Sequence, residues 1–178
     1  TLTYAVDVAT GVTRVDVAAA KSDPNAVVSG ELPNSGQATI PLDGPGSRKT
    51  VSITVTAPNE VSKTYRITVN RLAPSNNANL SALTVSAGTL NPGFSASTLT
   101  YTVNVPASVD SLTVTGTKSD PNAVMSASGA VIAPPGVATG GVSSALGLGT
   151  TTLFTITVIA QDGVSTRPST INVFRDSR

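Results

Sequence analysis

The feature that most constrains this chain is an internal repeat. The segment TLTYAVDV at residues 1–8 returns as TLTYTVNV at residues 98–105, 97 positions later. The same offset holds without a gap to KSDPNAV, which occupies residues 21–27 and again 118–124. Self-similarity at one long period indicates two homologous folding units in tandem.

The offset widens further along the chain. The segment ITV at residues 53–55 matches residues 156–158, so the second copy carries about six extra residues. We expect them within residues 133–149, a stretch of mostly Gly, Ala, Ser and Pro. Both copies then close on a Val-x-Arg pattern, at Arg71 and Arg175.

The two copies differ at their starts. NLSALTVSAGTL at residues 79–90 predicts one more strand and a turn ahead of the second copy, and nothing corresponding precedes Thr1. The polar linker LAPSNNA separates the copies, and its Pro limits flexibility. We therefore expect an incomplete unit at 1–73, lacking its opening strand, and a complete one at 74–178.

Apolar residues alternate with polar ones, which is the pattern of half-buried strands. Tyr4, Tyr65, Tyr101 and Phe154 share the parity of the core Val and Ile residues, so we expect all four rings in the cores. Asp162 followed by Gly favours a hairpin. Some seven short strands in about 100 residues, without a Cys-Trp-Cys core, predict an all-β, immunoglobulin-like sandwich for each unit.

Several segments of the second copy resemble the bacterial cadherin-like β-sandwich repeat. They are LSALTVSAG, LNPGFS and TYTV between residues 80 and 103, and Gly149, FTITV and QDG between 149 and 163. The resemblance covers nearly all of 79–175 and, without the first strand, most of 1–71. It implies tandem cadherin-like sandwiches acting as a non-catalytic module of secreted or surface-attached bacterial proteins, without specifying a ligand.

One position departs from the pattern of that family. The last strand of such a repeat normally carries a Tyr, which is kept here as Tyr65, whereas the second copy has RPST at residues 167–170. Because Pro168 removes a backbone donor, the start of the final strand is undefined by the sequence.

Composition excludes several function classes. The chain has no His, Cys or Trp, so Ser-His-Asp and Cys-His catalysis and the usual zinc ligands are unavailable. A net charge of +1 argues against nucleic-acid binding, and the apolar stretches are too short for membrane insertion. The ten acidic residues are scattered, and Asp7 is replaced by Asn104 in the second copy. We expect no enzyme activity and no cofactor.

The repeated KSDPNA motif offers a weak calcium site. Asp23 with Asn25, and Asp120 with Asn122, would supply oxygen ligands, but two oxygens fall short of the six to eight that calcium takes. Pro at the second position of the turn, with Asp before it and Asn after it, favours a structural turn instead.

Exposed aromatic rings would indicate a polysaccharide partner. Phe174 has the opposite parity to its apolar neighbours and Phe94 falls in a loop, so these two rings are the candidate sugar contacts. A carbohydrate-binding accessory module is therefore one alternative function.

The missing strand leaves a second alternative open. A sandwich without one strand has unpaired backbone groups and an apolar groove, so another copy could add a strand and build a filament or sheath. Truncation within the first repeat is the simpler interpretation, because the end of the chain, RDSR, offers no apolar strand to donate. We expect chiefly a structural spacer that contacts neighbouring repeats at the bacterial surface.

Overall fold

A computed structural model describes all 178 residues, which form β-strands, turns and loops. None of them forms an apolar helix of membrane-spanning length. The chain divides into two units, Thr1–Pro74 and Ser75–Arg178, next to the Pro of the polar linker.

The first unit has six strands in two sheets. The strands are β1 (Leu2–Val8), β2 (Arg14–Ala18), β3 (Val27–Gly30), β4 (Gln37–Pro41), β5 (Arg48–Thr56) and β6 (Ser62–Arg71). The larger sheet has the order β1-β6-β5-β3, and β2 and β4 form the smaller one.

The second unit has eight strands in two sheets. They are β7 (Leu80–Val85), β8 (Thr100–Val105), β9 (Ser111–Lys118), β10 (Val124–Ala127), β11 (Ala130–Ala133), β12 (Thr139–Ala145), β13 (Thr151–Ile159) and β14 (Thr166–Arg175). The larger sheet has the order β11-β10-β13-β14-β8 and the smaller one β12-β9-β7. The all-β architecture predicted from the alternating pattern is confirmed.

The closing strand of each repeat pairs with two neighbours, one antiparallel and one parallel. β5 with β6 and β13 with β14 are antiparallel hairpins, whereas β1 with β6 and β8 with β14 are parallel. The parallel pairs run from Leu2 opposite Tyr65 to Val8 opposite Arg71, and from Thr100 opposite Thr170 onward. The strand that opens the repeated sequence therefore lies beside the strand that ends it.

The Arg of each Val-x-Arg pattern ties loops to the end of this parallel pair. Arg71 Nε donates to the carbonyl of Thr10 at 2.8 Å, and its Nη1 donates to the carbonyl of Asp43. Arg175 Nε donates to Ala107 at 3.0 Å, and its Nη1 donates to Leu146 at 2.7 Å. The repeated sequence thus produces the same loop clamp twice.

The extra residues of the second copy lie earlier than expected. Ile40 pairs with Val15 on the smaller sheet of the first unit, and Ser144 pairs with Leu112 on that of the second. Since Val15 and Leu112 are equivalent, the insertion is complete before this point. It forms β11, which has no counterpart in the first unit, so residues 133–149 were the wrong place for most of it.

Pro168 does not delay the final strand, which begins at Thr166. The amide of Thr170 donates to Leu99, so alternate residues of β14 turn their nitrogens towards β8. At Pro168 that side has no strand, because β8 begins opposite Thr170. The missing N–H of Pro168 therefore removes no hydrogen bond between β14 and β8.

The predicted core residues are confirmed in the second unit. In the first unit the prediction is wrong for one aromatic ring, that of Tyr4. Tyr101 and Phe154 are buried and Tyr65 is half-buried. Tyr4, equivalent to Tyr101, is 53% exposed, whereas Tyr101 is 1% exposed. The alternating pattern assigned Tyr4 to the correct face of β1, but the part of that face around Tyr4 is uncovered in the first unit.

This contrast predicts unequal effects of matched substitutions. Tyr101→Ala should destabilise the second unit by about 3–5 kcal/mol, since it leaves a cavity in a closed core. Tyr4→Ala should cost less than about 1 kcal/mol, because most of that ring already contacts water. Urea unfolding of each full-length variant, followed by circular dichroism, measures the difference, and equal losses would contradict the assignment of Tyr4 to an open face.

Candidate functional site

The first unit contains an open apolar groove with a volume of about 570 Å³. Tyr4 of β1, Ile53 and Val55 of β5, and Tyr65 and Ile67 of β6 line it. These residues alternate along their strands, so the pleat turns all five towards the same side of the larger sheet. The groove is the uncovered part of the face that forms the core of the sandwich.

The second unit has the same sheet face, and there it is closed. Ala78, Leu80 and Leu83 belong to the buried core of that unit, together with the equivalents of four of the five groove residues, which are Tyr101, Ile156, Val158 and Ile171. Val103 is 1% exposed, whereas its equivalent Val6 is 44% exposed. The residues that precede β8, including β7, therefore close in the second unit what remains open in the first.

The chain between β7 and β8 fits closely over β8. Tyr101 Oη donates to the carbonyl oxygens of Ser95 and Thr98, both at 2.9 Å. Gly88 has a φ of +74°, and a Cβ there would lie 2.7 Å from Val103 Cγ1. Only a glycine permits this approach, which indicates a cover shaped to the sheet rather than a loose loop.

The smaller sheet of the first unit has a free edge beside the groove. Amide bonds from Ala19 to Gly36 and from Leu42 to Thr13 show that the odd-numbered residues of β2 bond to β4. The alternate residues Asp16 and Ala18 turn their N–H and C=O groups to the other side, where no strand pairs. In the second unit β7 occupies this side of β9.

The KSDPNA motif folds as the predicted turn in both units. Asp23 Oδ1 accepts the backbone N–H of Asn25 at 2.9 Å, and Asp120 Oδ1 accepts that of Asn122 at 2.8 Å. The first carboxylate is exposed and the second is buried. No three acidic side chains gather at either turn, so the calcium assignment of Asp23, Asn25, Asp120 and Asn122 stays a prediction.

The Lys that opens the motif holds backbone carbonyls together in the second unit, a role that was not predicted from the sequence. Lys118 Nζ is buried, and its three N–H donors are shared among four backbone carbonyls, those of Pro121, Ala123, Ala133 and Pro134. The sequence signal that could have indicated this role is that the Lys occurs at the same place in both copies. Burial lowers the pKa of the Lys118 ammonium, and the Asp120 carboxylate opposes that shift.

The equivalent Lys21 is held less firmly. Its Nζ donates to the carbonyls of Pro24 and Ala26, at 3.2 and 2.8 Å, and the residue is only half-buried. One buried oxygen in the second unit, Oδ2 of Asp120, accepts no hydrogen bond. The same motif is therefore an exposed turn in one unit and part of the core in the other.

The two candidate sugar contacts have different environments. Phe174 on β14 is 39% exposed, as expected from its parity. Phe94 is half-buried and packs against the core of the second unit, so it is a covering residue rather than the exposed ring that the sequence predicted. Polysaccharide binding stays a prediction, and of its two candidate rings Phe174 is the exposed one.

Replacing the two motif lysines tests how much each supports its unit. Lys118→Met should destabilise the second unit by about 2–4 kcal/mol, since several buried carbonyls lose their donor. Lys21→Met should cost roughly 1 kcal/mol or less, because its bonds lie near water. Urea unfolding at neutral pH measures both effects.

The pH dependence supplies a second readout of the same pair. In the folded chain the pKa of Lys118 is lower than its ordinary value of 10.5, so the side chain loses its proton at a lower pH than in the unfolded chain. Unfolding therefore takes up a proton between the lowered pKa and 10.5, so the stability of the second unit should rise with pH across that window. Lys118→Met should abolish this rise, and a rise of unchanged size in that variant would contradict the assignment.

This chain is similar in sequence to part of a curated bacterial protein. A protein of Evansella cellulosilytica named "Putative membrane protein" is 42% identical over 103 residues, which is 57% of this chain and 14% of that protein. This chain therefore corresponds to a small part of its relative.

Solved structures with similar folds are distant. Protocadherin Gamma B2 extracellular cadherin domains 3–6 match 98% of this chain and 46% of theirs, with 11% identity and a TM-score of 0.37. A SusE-like surface located polysaccharide binding protein of Bacteroides thetaiotaomicron matches 98% and 33%, with 14% identity and a TM-score of 0.31. Similarity at this level says nothing about what this chain binds.

The family model described as Cadherin-like beta sandwich domain matches residues 1–72 and again residues 80–176. The two matches coincide with the two folded units and with the internal repeat. The chain belongs to the cadherin-like β-sandwich domain family and contains two tandem members of it.

Proposed function

We propose that the chain is a non-enzymatic, load-bearing spacer of a bacterial extracellular or cell-surface protein. The observation that carries this proposal is the parallel pairing of β1 with β6 and of β8 with β14. Membership of the cadherin-like family and the name of the Evansella cellulosilytica relative support the surface location.

Parallel pairing of these strands determines how each unit resists a pulling force. The chain enters β1 at Leu2 and leaves β6 at Arg71, which are opposite ends of the pair. A pull between those ends slides one strand along the other, so the ladder bonds resist together. A pull on neighbouring ends would instead open them one after another. In the second unit β8 and β14 pair in the same parallel sense, and β7 precedes β8 along the chain.

The polar character of the outer faces also suits a spacer. Charged residues make up 12% of the chain, against about 25% in an average soluble domain. The acidic residues do not gather in groups of three or more. Thr and Ser side chains bond across neighbouring strands instead, as between Thr54 and Thr64 and between Thr113 and Ser143.

Single-molecule stretching tests the load-bearing role directly. Because the chain contains no Cys, cysteines introduced at exposed positions are unique attachment points. The pair Ser97→Cys with Ser177→Cys applies force to opposite ends of β8 and β14. The second unit should then unfold at a force several times higher than in a matched pair that pulls on neighbouring ends.

The matched pair is Ser108→Cys with Ser177→Cys. Ser108 is exposed and follows the end of β8, so this geometry opens the same strand pair from one end. Unfolding at the same low force in both geometries would overturn the proposed role, since the parallel pair would then add no resistance.

A further inference from the structure

We propose that the second unit binds a uronic acid residue of an acidic polysaccharide, through its carboxylate, in a pocket beside the start of β14. The pocket has a volume of about 730 Å³ and lies within the second unit. Among the residues that line it are Asn76, Asn77, Leu99, Thr166, Arg167 and Pro168. The site is independent of the load-bearing role proposed above, and it lies at the opposite end of β14 from Phe174.

The pocket lies where the larger sheet of the second unit is one strand narrower. β14 begins at Thr166, but its parallel neighbour β8 begins only at Thr100, opposite Thr170. The amide of Thr170 donates to the carbonyl of Leu99, so the even-numbered residues of β14 turn their N–H groups towards the side of β8. By the same alternation Thr166 turns its N–H towards the gap, where no strand pairs with it. This backbone group is one donor available to a ligand.

Arg167 places a positive charge in the wall of the pocket. Its Nη1 donates to Asn79 Oδ1 at 2.7 Å, and its Nη2 donates to the carbonyl of Ser97 at 3.4 Å, which is long for a hydrogen bond. Its Nε is buried and has no acceptor. A guanidinium has five N–H groups, so two of them have acceptors in the protein and Nη1 and Nη2 each keep one for a ligand.

The charge of the pocket fits a carboxylate. Arg167 is its one charged lining residue, and both protein acceptors of the guanidinium are neutral. The planar fork of an Arg matches the two oxygens of a carboxylate through parallel hydrogen bonds. One positive charge balances a carboxylate, whereas a phosphate group carries close to two negative charges at neutral pH. The pocket therefore favours a carboxylate over a phosphate.

The other walls fit the ring that carries such a carboxylate in a uronic acid. Asn76 and Asn77 supply carboxamides, which can donate to and accept from sugar hydroxyls. Leu99 is 40% exposed and Pro168 is also exposed, so both offer apolar surface to the C–H groups of a ring. The volume lies within the range of about 300–1,000 Å³ that is typical of small-molecule sites, and a bare carboxylate group would leave most of it empty.

Titration of the isotope-labelled full-length chain with a trimer of galacturonic acid, followed by NMR, tests the site. The backbone amide signals of Asn77, Asn79 and Thr166 should shift saturably. The methyl ester of the trimer keeps the hydroxyls but loses the charges, so it should bind at least about tenfold more weakly. N-acetylalanine presents a carboxylate without a sugar ring and should also bind at least about tenfold more weakly.

The role of the guanidinium is tested with two matched variants. Arg167→Gln removes the charge but keeps an amide that can donate to Asn79, and it should weaken binding of the trimer at least about tenfold. Lys63 precedes Arg71 by the same eight residues as Arg167 precedes Arg175, so Lys63→Gln is the equivalent change in the first unit. This control should leave binding unchanged. Circular dichroism shows whether each variant is folded.

Several results would overturn the proposal. Equal binding of the acid and its ester would exclude recognition of the carboxylate, and equal binding of N-acetylalanine would exclude recognition of the sugar. Absent saturation, signal shifts confined to residues away from the pocket, or equally strong binding of inorganic phosphate would also contradict it. If Arg167→Gln does not fold, the comparison of acid and ester on the unmodified chain decides the same question.

Discussion

The constraint on which this structure depends is that an apolar sheet face must be covered by a second layer. Both repeats present the same face, built from equivalent Tyr, Val and Ile residues of their larger sheets. In the second unit β7 and the residues after it complete the cover, and the core there includes Leu80, Leu83 and Tyr101. In the first unit β2 and β4 cover only part of the face, and the groove is what remains.

Equivalent residues of the two copies have different environments in the two units. Lys118 and Lys21 occupy the same place in the same motif, yet the first is buried among four carbonyls and the second is half-buried with two. Burial also lowers the pKa of the Lys118 ammonium. One repeated sequence thus yields two electrostatic environments, because depth in the core sets the cost of a charge more than local sequence does.

Most of the fold was predictable because it depends on local and repeated signals. Alternation identified the strands and their inward faces, and the repeat identified two units. The exposure of Tyr4 was not predictable from alternation, since parity assigns a side chain to a face without stating what covers that face. The start of β14 near Pro168 and the half-burial of Phe94 were not predictable for a related reason. Whether a backbone nitrogen has a partner strand, or a loop ring packs on a core, depends on neighbours distant in sequence.

Backbone hydrogen exchange at two equivalent amides tests the central claim most directly. Ala18 and Thr115 occupy the same position in the repeat, on an open edge in one unit and beside β7 in the other. The account predicts that the Ala18 amide exchanges rapidly in the isolated chain, while the Thr115 amide is protected. Comparable protection of both amides would mean that the first unit is already closed, and would contradict the account.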